Sequence, residues 1–279
     1  MRHALLLVFL MPTALGAQHS ASTSLDSLAH ETATYTARYA DRRVASADGY
    51  HRVGTDFPGM GEHRDQTDAL LSPTLDARHP AVLIYASIAG KPQLLGVAFA
   101  TITSGTESAN VPGWPDAWHE HSGLLSEESG VGASSHDSSG TRFWVLHAWT
   151  AFANPEGMFT TDNWALPFLR AQLDPPVGAD PDAAHAISLV FGGDDYIRNV
   201  LTDAGLRSAS NGASVDSAIA STRAAAAAII AMPRPDKSLS AQQLAILRNA
   251  WRSLSSSLTQ IIGTDVSRYL APQHSAHHS

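Results

Sequence analysis

The chain has 279 residues, 18 Lys and Arg against 26 Asp and Glu, a formal net charge of −8 at pH 7 and no cysteine. The acidic balance and the lack of any Lys/Arg cluster exclude phosphate-backbone binding as the main activity, so no nucleic acid partner is expected. Without a thiol there is no disulfide framework, no lipid-modified N-terminal cysteine and no cysteine nucleophile or ligand.

Arg2 and His3 form a short basic start, residues 4–11 an apolar run closed by Pro12, and Ala14-Leu15-Gly16 a small-x-small signal before Ala17. This order predicts a signal peptide over residues 1–17. The apolar run falls short of the about 20 residues that span a bilayer. The richest later run, 224–232, ends at Pro233, so cleavage and a soluble periplasmic or secreted chain are expected, with no transmembrane segment after cleavage. Some 262 residues (279 − 17) would remain, enough for one large domain or one domain plus a smaller one.

Residues 22–48 carry Leu25, Leu28, Tyr35, Tyr39 and Val44 near helical spacing, with Gly49 as terminator. Residues 54–61 hold three glycines and Pro58 and are expected as a turn-rich loop. Residues 76–80 form a second break. Residues 81–89 and 93–103 are apolar and β-prone around Gly90-Lys91-Pro92 and predict an antiparallel hairpin. Residues 104–141 predict a long loop, and 142–152 a third strand. That strand would place Phe143, Val145, His147 and Trp149 on one face and Trp144, Leu146 and Ala148 on the other.

Helical patterns dominate the rest. Residues 166–173 suggest a short helix, and 174–181 a Pro/Asp break. Residues 182–206 suggest two helices joined at Gly192-Gly193. The alanine-rich segment 214–232 and the amphipathic segment 240–262 flank Pro233-Arg234-Pro235 and predict an αα-hairpin. That hairpin could also serve a protein partner or a homo-oligomer. The tail 274–279 is polar and expected to fray. The expected fold class is α+β. An antiparallel sheet domain with an N-terminal helix would cover 18–165, and a mainly helical region 166–279.

The chemistry candidates are histidines, of which there are fourteen. Gly59-Met60-Gly61-Glu62-His63 would present Glu62 and His63 together from a sharp turn. His119-Glu120-His121 has the H-x-H spacing that puts both imidazoles on one face of an extended segment. His147 lies in an apolar strand, where a lone histidine is more often a hydrogen-bonded structural residue than a ligand. Together His63, His119, His121 and His147 would supply three or four nitrogens suited to zinc or copper(II). Three ligands with an open position would let Glu62 or Glu120 act as base toward a metal-bound water, and four would make a closed structural site. His30, His51, His79, His136, His185, His274, His277 and His278 have no comparable setting and are expected in solvent. The contrasting expectation is a metal-free interaction or structural protein in which Trp114, Trp118, Trp144, Trp149 and Trp164 form core or an aromatic-rich partner surface. No G-x-S-x-G elbow, H-E-x-x-H helix, P-loop or dinucleotide fingerprint is present.

Gly113, His119-x-His121 and Glu127 are similar to the first cupin motif, in which two histidines and a glutamate bind metal in a small barrel. Five residues separate His121 from Glu127 where that motif has three or four, and the second cupin motif is not met around His147.

A broader resemblance rests on Gly49-Tyr50, Phe57-Pro58-Gly59-Met60-Gly61-Glu62-His63, Pro80-x-Val82-Leu83-x-Tyr85 and Leu94-x-Gly96-Val97. It continues through Leu146-His147-Ala148-Trp149 and Asn154-Pro155-Glu156-Gly157-Met158-Phe159. These blocks, spread over residues 49–164, resemble a group of uncharacterised exported bacterial proteins. The resemblance implies export and a β-containing N-terminal domain, and carries no activity. Arg64 departs from it, standing where an aromatic residue is expected after the histidine.

Overall fold

The computed structural model describes residues 15–104, 109–120 and 141–270. The basic start and apolar core of the expected signal peptide lie outside the described residues, as do His121, Glu127, His136 and the tail histidines.

The stretch expected as one helix is broken. It comprises α1 (Leu15–Thr36), a 3-10 turn at Ala37–Ala40, and α2 (Arg42–Ala47). The break comes at Asp41, extended at φ −91°, ψ 108°, whose side chain accepts the Arg43 N–H and caps α2. Aspartate competes for backbone donors inside a helix and satisfies them at its start.

The expected loop over 54–61 is mostly strand. β1 (His51–Phe57) and β2 (Gly61–Asp65) form a hairpin, leaving only residues 58–60 as its turn. The register shifts between Val53 and Phe57, where Gly54 takes φ +59°. The glycine therefore makes an irregularity within a strand instead of ending it.

β3 (Val82–Ile88) and β4 (Lys91–Ser104) form the expected hairpin, turning at Ala89 and Gly90, both at positive φ. Such a turn matches the twist of the flanking strands. β5 (His119–Glu120) and β6 (Thr141–Ala148) complete one antiparallel sheet of order β1-β2-β3-β4-β6-β5. Strand alternation gives it two apolar faces. Leu83, Tyr85, Val97, Phe99, Leu146 and Ala148 pack with Tyr39 and Tyr50 on one. Val82, Ile84, Ala98, Ala100, Val145 and Trp149 pack with Leu166 on the other. The expected division of β6 between faces is observed.

α3 (Thr67–Leu70) follows β2, and α4 (Leu166–Arg170) seats Leu166 in the second sheet core. α5 (Pro181–Ser188) runs through a 3-10 turn, Leu189–Phe191, to α6 (Gly193–Asp203), which packs on β1. α7 (Gly212–Ala231), α8 (Ala241–Ile262) and α9 (Ser267–Leu270) finish the helical layer. α8 starts with a capping box between Ser240 and Gln243 and ends at Gly263 with φ +79°. Its buried stripe of Leu247, Trp251, Leu254 and Leu258 has helical spacing and packs with residues of α5 and α7 in one core, so the predicted hairpin forms. Among the described residues no helix is long and apolar enough to cross a membrane.

Candidate functional site

Three of the four predicted histidines come from different strands. His63 pairs with Ile84, His147 with Ala98, and His119 with Val145. All three partners belong to the face that carries Leu166. β2 and β6 are three inter-strand steps apart in the sheet order, about 14 Å on a flat sheet. The His63 and His147 rings nevertheless stand 5.7 Å apart, and His119 and His147 5.0 Å apart. The sheet therefore curls toward this face, which its small lining residues Gly96, Ala98 and Ala100 permit. A side chain at Gly96 would strike the Ala148 carbonyl oxygen, and one at Gly61 the Tyr85 carbonyl oxygen.

Glu62 and His63 are not presented together. Both are strand residues, so they alternate, and Glu62 faces the other side, where Arg42, Arg52 and Arg64 surround it. Glu120 is opposite Trp144 in register, one residue out of phase with His119. Neither glutamate shares the histidine face, which removes both as bases beside it.

The histidines are held from the segment after β6. Trp149 Nε1 donates to the Thr160 carbonyl at 2.7 Å, and Asn154 Nδ2 donates to Thr160 Oγ1 and to the Asp162 carbonyl. The Asn163 N–H donates to the Gly59 carbonyl at 2.8 Å. A Cβ on Gly59 would crowd Asp162 and Trp164, so the glycine lets the two loops meet. Thr161 is thereby placed over the rings. Its carbonyl accepts from His147 Nδ1 at 2.6 Å, and its hydroxyl lies 3.2 Å from His119 Nδ1.

A carbonyl only accepts, so His147 Nδ1 carries the proton and Nε2 keeps its lone pair when the ring is neutral. Burial keeps it neutral, pulling its pKa down to about 4, while the bond to Thr161 opposes that pull. This is the arrangement that orients a metal-ligating histidine. Two imidazoles bound to one zinc at tetrahedral angles place their ring centres about 5 Å apart, as His119 and His147 are. Among the described residues no group of three or more His, Asp or Glu side chains could hold a metal ion.

Three further groups carry no sequence motif. Thr161 lies in an irregular segment. In the same segment, burial and the neighbouring Glu156 push the Asp162 carboxyl up to about 7. His185, expected in solvent, is 4% exposed on α5, because its ring is sandwiched between Trp164 and Trp251. The five tryptophans lie in or against the core. Trp144, Trp149 and Trp164 are buried, while Trp114 and Trp118 are half-buried against the first sheet core. Compared with protein-family models, curated proteins and solved structures, the chain matches none.

Proposed function

We propose that this is an exported protein that binds a divalent metal ion, zinc or copper, through His147 and His119, with His63 or His121 completing the coordination. The observation that carries this reading is the 5.0 Å separation of the His119 and His147 rings, combined with the Thr161 carbonyl that reserves His147 Nε2 as an acceptor. Binding is favoured over hydrolysis because Glu62, the nearest glutamate in sequence to His63, is engaged by arginines on the opposite face. The N-terminal order of basic start, apolar run and small-residue cleavage signal supports export.

A ligand that binds only the folded state stabilises it by about 2.7 kcal/mol at a hundredfold excess over Kd. Protein prepared without an affinity tag should therefore melt higher with zinc or copper. His119→Ala, at a half-buried position, should fold and lose that rise. Equal metal-induced rises in both proteins would refute the assignment.

A further inference from the structure

The other face of β1 and β2 carries an excess of positive charge in a chain whose net charge is −8. Arg52 and Arg64 stand directly opposite each other in the β1–β2 register, a like-charge pairing that destabilises a sheet. Arg42 of α2 joins them, its guanidinium 4.9 Å from the Tyr85 ring centre. Glu62 is within reach of all three, with Arg42 Nη2 at 3.0 Å, Arg64 Nη1 at 3.2 Å and Arg52 Nε at 3.9 Å. One carboxylate against three guanidinium groups leaves two positive charges. Asp56 lies within electrostatic reach of Arg52, but its charge is offset by Arg170, which holds both of its oxygens at 2.7 Å.

The cluster is only partly in solvent, with side-chain exposures of 16% for Arg64, 32% for Arg42 and 54% for Arg52. Nε of Arg42 and Nε of Arg64 are buried without a hydrogen-bond partner. A buried donor left unmet is costly, and guanidinium forks match the oxygens of a tetrahedral anion.

We propose that Arg42, Arg52 and Arg64 form a binding site for a doubly charged oxyanion, as inorganic phosphate or a phosphomonoester. The anion supplies the two negative charges that Glu62 alone does not, and Arg52, the most exposed of the three, closes over it. This site is independent of the histidine centre, since His63 projects from the opposite face of the same strand.

The test is titration calorimetry on the full chain at constant ionic strength, with inorganic phosphate in one arm and glycerol phosphate in the other. Arg52→Gln is the site variant. Arg43→Gln is the control, because Arg43 pairs with Asp41 and is 91% exposed but removes the same charge. Saturable binding in either arm, weakened about tenfold by Arg52→Gln and unchanged by Arg43→Gln, is expected, since losing one charge-assisted contact has that effect. Binding in the ester arm alone identifies the phosphomonoester as the source. No saturable binding in either arm, or equal weakening by both variants, overturns the proposal.

Discussion

His185 stacks on Trp251 with ring centres 4.4 Å apart and planes 7° apart, and neither of its nitrogens has a hydrogen-bond partner. Burial lowers its pKa to about 3 from the ordinary 6.5. As pH falls below 6.5 the unfolded chain takes up the proton first, so stability is lost progressively toward pH 3. At pH 5 the loss from this one group is about 2 kcal/mol. His147, depressed to about 4 by burial, acts in the same direction. Replacing the ring by His185→Phe should thus shift the stability difference between pH 7 and pH 5, measured by urea unfolding, by about 2 kcal/mol in favour of pH 5, and an unaltered difference would refute the buried neutral ring. Asp162 acts the opposite way. Its carboxyl, raised to about 7, makes the folded state the better proton binder, so stability falls as pH rises through that value. Asp162→Asn should stabilise the protein more at pH 8 than at pH 5, checked by the same unfolding measurement. The residue types and spacing in the sequence pointed to His63, His119 and His147 because imidazoles in apolar or extended segments stand out. Thr161 and His185 did not stand out, since a threonine in a loop and a histidine in an alanine-rich helix acquire their roles only through packing.

Among the elements, those with strong periodicity were legible. The β3–β4 hairpin, the two-faced β6 strand and the α7–α8 pair follow directly from alternation, helical spacing and caps. The β1–β2 hairpin was obscured by Gly54, Gly59 and Gly61, which suggest a loop by composition. The three glycines act differently. Gly54 adopts positive φ at a bulge, Gly59 admits Asp162 and Trp164, and Gly61 passes close to the Tyr85 carbonyl. Gly61 combines φ +81° with that close approach. Gly61→Ala should therefore destabilise by about 3 kcal/mol or more, measured by urea unfolding. A change below about 1 kcal/mol would mean the strand can move away. β5 was hidden for another reason: two residues are too few to show alternation.

At the scale of the whole molecule, the curl of the sheet connects fold and site. It brings histidines from β2, β5 and β6 onto one concave face, and the segment bearing Thr161 closes over them, tied to the β1–β2 turn through Gly59 and Asn163. The two conspicuous sequence blocks around residues 57–63 and 146–159 thus belong to a single structure. The helical layer packs on β1 and inserts Leu166 into the sheet core. α+β class was readable from the order of patterns, whereas the curl was not, because it arises from bulges and small residues distributed over several strands. The most direct measurement is the metal content of the untagged protein by elemental analysis, before and after loading with zinc or copper, beside a His119→Ala/His147→Ala double variant. One equivalent of metal in the native protein and none in the variant is the expected result; no metal in the native protein even after loading would contradict the histidine centre as a metal site.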